Sequence, residues 1–222
     1  GQQATMTGGN NVLMGAGVLQ YATSTAGNTS IGWASGKQLV TGDYNIFMGY
    51  SAGGTTTDVD HTVIIGFQAG ISNMTAAADG TIAIGYQAMG AAYGDASVNF
   101  VATKNIAIGR NSMKNNATGV ENVSLGYLAA ELLGSNGEAR NVIIGSRAGG
   151  TTANAAADDN VVIGYAALAN SAGRLVAENV FIGKNTGGGN IAGNTRYNVA
   201  VGMQSMYGDM DGAEYNTALG HS

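Results

Sequence analysis

The chain has 222 residues, 45% of them hydrophobic and only 10% charged, with 37 glycines and neither proline nor cysteine. Without proline it is not a collagen, and without cysteine it has no disulfide framework and no thiolate metal site. The net charge of −5 leaves no basic patch to neutralise phosphates, which excludes nucleic acid as a partner, and no apolar run approaches the roughly 18 residues of a membrane-crossing helix.

From the N-terminus onward one short motif recurs: Asn, three mostly apolar residues, then Gly. Residues 11–15 read Asn-Val-Leu-Met-Gly, and the closing glycines follow as Gly15, Gly32, Gly49, Gly66, Gly85, Gly109, Gly126, Gly145, Gly164, Gly183, Gly202 and Gly220. Their spacings are 17, 17, 17, 19, 24, 17, 19, 19, 19, 19 and 18. A fixed period near 20 residues is the mark of a solenoid, in which each repeat is one coil stacked on the last. The expected fold is therefore all-β: a single β-solenoid array over residues 1–222, of about twelve coils of 17–19 residues. At about 4.8 Å per coil it would be on the order of 58 Å long. Because it starts at Gly1 and stops two residues after Gly220, the chain is expected to be a fragment of a longer fibrous protein.

Within each motif the three apolar residues predict a short strand whose side chains alternate between two faces. The first and third columns, which open with Val12, Thr29, Ile46 and with Met14, Ile31, Met48, are rich in β-branched residues and are expected to face the inside of the coil. The middle column reads Leu13, Ser30, Phe47, Ile64, Ala83, Ala107, Ser124, Ile143, Val162, Phe181, Ala200, Ala218 and is expected outside. None of its members is charged, and an uncharged outer stripe calls for a partner; self-association is the simplest one.

The Asn column, replaced only by Thr62 and Thr81, predicts a ladder of side-chain amides between coils, with Asn also suited to a left-handed corner. Three residues after ten of the twelve motif glycines comes a small side chain such as Ser35, Ala52 or Ala148, which predicts a tight second strand or bend. The linkers that follow hold most of the charge, for example Asp43, Asp58, Asp60, Asp79, Asp95, Glu121, Glu138 and Arg140, and are expected to be solvated outer turns.

The repeat resembles two known groups. Residues 105–109 (Asn-Ile-Ala-Ile-Gly) and 198–202 (Asn-Val-Ala-Val-Gly) are similar to the head repeats of trimeric autotransporter adhesins of the YadA type. Residues 81–88 (Thr-Ile-Ala-Ile-Gly-Tyr-Gln-Ala) and 62–69 (Thr-Val-Ile-Ile-Gly-Phe-Gln-Ala) are closer still to repeats of phage tail fibres. The resemblance implies a left-handed β-roll in a parallel homotrimer: a structural or adhesive shaft, extracellular, on a virion tail or a bacterial surface, that attaches to a cell-surface glycan or receptor. It implies neither enzyme activity nor a cofactor. The alternative expectation is a monomeric ice-binding or ligand-binding solenoid, against which stands the clustering of Thr55, Thr56 and Thr57 rather than a regular Thr row.

No catalytic set assembles from His61 and His221, the only histidines. Acidic pairs such as Asp58 with Asp60, Asp158 with Asp159, and Asp209 with Asp211 match no full calcium loop, so no metal ligands are assigned. Candidate ligand-binding residues come from two places. One is the aromatic column just after the motif Gly, where Trp33, Tyr50 and Tyr86 could stack on a sugar or simply pack at a corner. The other is the longest insertion, between Gly85 and Gly109, with Tyr93, Asp95, Asn99 and Phe100.

Overall fold

The computed structural model describes residues 7–71, 73–90, 99–100, 102–115, 118–131, 138–150, 157–169, 176–189, 193–208, 210 and 212–221. The chain divides into two compact units, Gly1–Asn111 and Ser112–Ser222. In the first unit the motif strands are β1 (Val12–Met14), β2 (Thr29–Ile31), β3 (Ile46–Met48), β4 (Val63–Ile65), β6 (Ile82–Ile84) and β8 (Ile106–Ile108), with a side pair β5 (Asn73–Met74) and β7 (Asn99–Phe100). In the second they are β9 (Val123–Leu125), β10 (Val142–Ile144), β11 (Val161–Ile163), β13 (Val180–Ile182), β15 (Val199–Val201) and β16 (Thr217–Leu219), with the side pair β12 (Val176–Ala177) and β14 (Thr195–Arg196).

Every motif strand has three residues and lies parallel to the next motif's strand within its unit, with motif residue set against motif residue. Val142 faces Val161, Ile143 faces Val162, and Ile144 faces Ile163. The fold is a parallel β-solenoid, and among the described residues its only helical turn is a 3-10 segment at Ala76–Ala78. No helix among the described residues is long and apolar enough to cross a membrane.

The structure reverses the expected faces of the strand. Ser30, Phe47, Ile64, Ala83, Ala107, Ser124, Val162, Phe181 and Ala200 of the middle column are fully buried, while the flanking columns are half-buried or exposed. A period of two says that the faces differ. It does not say which is inside when both are apolar. The cross-section decides the matter: one strand residue per coil points into a thin interior, and two point out.

That interior is packed by exchange of volume within each coil. The partner of the middle strand residue is the residue six positions later, in the turn after the motif Gly. Phe47, Ile64, Ile143 and Phe181 are matched by Gly53, Gly70, Gly149 and Gly187. Ala83 is matched by Met89, which is fully buried. A Cβ placed on Gly187 would lie 2.9 Å from the Phe181 ring, and one on Gly36 would lie 2.9 Å from the Phe47 ring of the next coil. Large against small in this way lets the two positions share one interior volume.

The Asn column forms the expected ladder. The side-chain Nδ2 of Asn141 donates to Asn122 Oδ1 at 2.9 Å, Asn160 to Asn141 at 3.0 Å, Asn179 to Asn160 at 3.1 Å and Asn198 to Asn179 at 3.0 Å. Each Oδ1 also accepts the backbone N–H of the next Asn, and each Nδ2 reaches a backbone carbonyl of the following linker, as Asn160 does to Val176 at 2.7 Å. Thr62 keeps the ladder going by donating its hydroxyl to Asn45 Oδ1 at 2.7 Å. The left-handed corner, however, belongs to the residue before the Asn and not to the Asn itself. Tyr44, His61, Glu121, Arg140, Asp159 and Glu178 all have φ between 56° and 60° there. Placing non-glycine residues in that region costs about 1 kcal/mol or more each, a cost the ladder beside it offsets.

The second segment is a bend, not a strand, and its small residues are buried: Ser35 donates to the Phe47 carbonyl at 2.9 Å and Ser112 to Ser124 at 3.2 Å. The motif glycine allows coils to touch. A Cβ on Gly85 would sit 2.6 Å from the carbonyl oxygen of Gly109, at a φ of +134° that side chains rarely adopt.

Candidate functional site

With the middle column inside, each coil turns two strand side chains outward. In the first unit these are Ile46 with Met48, Val63 with Ile65, Ile82 with Ile84 and Ile106 with Ile108; in the second, Val142 with Ile144, Val161 with Ile163 and Val180 with Ile182. No outward strand position carries a charge. A β-sheet face in water normally alternates apolar-in with polar-out; here both faces are apolar.

Two residues beyond the outermost strand column runs the aromatic row. Trp33 stacks on Tyr50 with ring centroids 4.7 Å apart, Tyr50 on Phe67 at 5.0 Å, and Phe67 on Tyr86 at 5.3 Å, all within 16° of parallel. The Arg110 guanidinium closes the row, 5.3 Å over the Tyr86 ring. All four rings remain 41–51% exposed. Coil stacking causes this arrangement: equivalent side chains repeat at the interstrand spacing, which is also an offset-stacking distance for rings. The result is a first unit with three adjacent uncharged columns, ended by one arginine.

Of the residues singled out for ligand binding, Trp33, Tyr50 and Tyr86 are brought into this single row, together with Phe67. Their faces are largely taken up by one another. Tyr93 and Asp95 lie outside the described residues, while Asn99 and Phe100 form β7, paired with Asn73 and Met74. Arg110 could have been found from the column itself, since it occupies the aromatic position of its own coil.

The linkers hold a second kind of ladder. Asp43 Oδ1 accepts the backbone N–H of Ala26 at 2.6 Å, Asp60 that of Asp43 at 2.6 Å, Asp79 that of Asp60 at 2.7 Å, and Asp158 that of Ala139 at 2.7 Å. Outside it, Arg140 grips Asp159 through two bonds of 2.6 and 2.7 Å, so that Asp159 is held below the usual carboxylate range. The Glu178 carboxylate beside Tyr197 raises its phenol in turn. One linker acid departs from the expected solvated setting: Glu138 is fully buried. Asp209 and Asp211 lie outside the described residues, and among those described no group of three His, Asp or Glu side chains is placed to hold a metal ion. His61 stacks on Tyr44 at 5.4 Å.

The stacked acids have a pH consequence. Asp79 is pushed above the usual carboxylate range by burial first, then by the Asp60 and Asp58 charges, against the pull of the Asp60 N–H. A raised folded pKa means that ionisation weakens the fold. The cost is fully present above that pKa and disappears as pH falls through it. Asp79→Asn keeps an oxygen for the Asp60 N–H and removes the charge. It should therefore raise the melting temperature slightly at pH 7, by less than about 1 kcal/mol after solvent screening, with the gain vanishing near pH 3. Paired thermal melts at the two pH values check this; an equal shift at both would count against the charge explanation.

No family model, curated protein or solved structure matches this chain. The class that its fold defines is thus the parallel β-solenoid, and its most distinctive surface is the uncharged outward face.

Proposed function

We propose that this chain is the shaft of a structural, adhesive fibre: twelve coils, one per motif, wound left-handed and joined as a parallel homotrimer, outside the cell on a phage tail or a bacterial surface. The observation that carries this reading is the aliphatic outward strand face. An exposed uncharged surface that repeats coil after coil is unstable alone in water and matches a partner with the same repeat. A second and third copy of the chain supply that repeat. The shaft has no chemistry of its own; it holds an attachment surface for a cell-surface glycan or receptor away from its anchor. Threonine occupies only Thr29 and Thr217 among the outward strand positions, which counts against the ice-binding alternative.

Light scattering on a sizing column tests it. The expected mass is three times the 22.2 kDa of one chain. Ile144→Glu, on the outward face of β10, should give a folded monomer with unchanged circular dichroism, because an unpaired charge buried at an interface costs several kcal/mol. A wild-type monomer would sink the trimeric fibre.

A further inference from the structure

A sugar ring stacks on an aromatic side chain only where a ring face is open. In the Trp33–Tyr86 row, Tyr50 and Phe67 are covered by rings on both sides, and Tyr86 lies between Phe67 and Arg110. In the second unit the same column reads Tyr127, Ser146, Tyr165, Lys184. Tyr165 therefore has a serine and a lysine in the neighbouring coils. It is 49% exposed and makes no ring or cation contact with any described residue.

Tyr165 also lines a cavity of about 430 Å³, with Leu128, Ala166, Ala169 and Gly150 as apolar wall and Glu131 and Arg147 as its charged groups. That volume is within the range of about 300–1,000 Å³ usual for small-molecule sites. Neither the Glu131 carboxylate nor the Arg147 guanidinium makes a hydrogen bond or ion pair with any described residue, although both line one cavity. A carboxylate only accepts and a guanidinium only donates. One ligand group that serves both is a hydroxyl, which does each.

We propose that this cavity binds one neutral pyranose of a saccharide, with its C–H face on Tyr165, a hydroxyl accepting from Arg147 and another donating to Glu131. The lining carries one charge of each sign, so a charged sugar loses at one group what it gains at the other, whereas the hydroxyls of an uncharged ring serve both. This rests on the attachment part of the fibre reading and deepens it by naming the ligand class, but it is independent of the trimer, since the site lies wholly within one copy of the second unit.

Saturation-transfer NMR on the full chain, with methyl β-D-glucopyranoside, methyl β-D-galactopyranoside and methyl α-D-mannopyranoside as probes, tests it. Transfer to the ring protons of at least one sugar is expected. Binding should weaken about tenfold or more in Arg147→Gln and in Tyr165→Ala and persist in Tyr165→Phe. Both side chains are exposed, so circular dichroism of the variants should match the parent. The proposal is overturned if none of the three sugars shows transfer, or if transfer survives Tyr165→Ala but is lost in Trp33→Ala. It is equally overturned if methyl β-D-glucuronide binds more tightly than the neutral sugars. The mass measurement decides the fibre reading separately.

Discussion

Phe181→Ala and Gly187→Met should each destabilise the protein, and the two together should largely restore it. Phe181 is fully buried, and its truncation leaves a cavity worth about 3–5 kcal/mol. Gly187→Met alone forces a side chain into the Phe181 ring, where even a Cβ lies 2.9 Å away, at a cost of about 1–3 kcal/mol. The double variant reproduces a pairing that the fold already contains. Met89 holds this turn position at φ of 49°, six residues after Ala83, and is fully buried. Gly187 has φ of 60°, so the backbone is already suitable. Urea titrations of the four proteins should show a coupling of about 3 kcal/mol. Additive effects would mean that the two positions do not share one volume.

Asn160→Ala should cost on the order of 4–6 kcal/mol, a large part of a domain's usual stability of about 5–15 kcal/mol. Asn160 Oδ1 accepts from the backbone N–H of Asn179 and from its Nδ2, both at 3.1 Å. Its Nδ2 donates to Asn141 Oδ1 and to the carbonyls of Asp158 and Val176. Asn160 is 2% exposed and Asn179 fully buried, so water replaces few of these bonds. Each orphaned group then costs about 1–3 kcal/mol. Asn160→Asp should be no better at pH 7: it keeps the acceptor but sets a charge against Asn141 Oδ1. A thermal melt settles the size of the effect. A loss below about 1 kcal/mol would show that the ladder is decoration on a backbone that stands without it.

The spacing of the motif was enough to read the coil, its strand and its register, because a repeat that stacks on itself forces equivalent residues together. Val142 faces Val161 for no other reason than that each follows the Asn of its motif. The Asn ladder was legible for the same cause. Which strand face is inside was not, since aliphatic residues occupy both. The deciding signal lay between columns: Phe47 with Gly53 and Ala83 with Met89 trade volume at a fixed distance of six residues, and only residues that share an interior do so. The aromatic row was legible as a column but not as a stack, since ring-on-ring contact depends on the coil spacing and on which rings have ring-bearing neighbours. Glu138 was misread because charge alone marked it as a linker residue. The second-unit cavity was legible only as columns: Leu128, Arg147 and Ala166 each stand two residues after a motif Gly and Glu131, Gly150 and Ala169 five after it, but spacing alone does not say that these columns wall a cavity beside Tyr165.

The backbone bonds between coils carry a consequence for how the chain acquires its structure. Val12 N–H bonds to Asn28, Val142 to Asn160 and Val180 to Asn198, so each new coil closes a loop of about the same length as the one before. The entropy of closure is then nearly constant from coil to coil, and each closure repeats the same set of bonds. Within each unit the first pair of coils is the costly step, since it must form with no template. Every later coil is laid down on a finished edge. Folding of this kind resembles the growth of a crystal from a seed: slow to begin, quick to advance, and sensitive above all to a fault in the first layer.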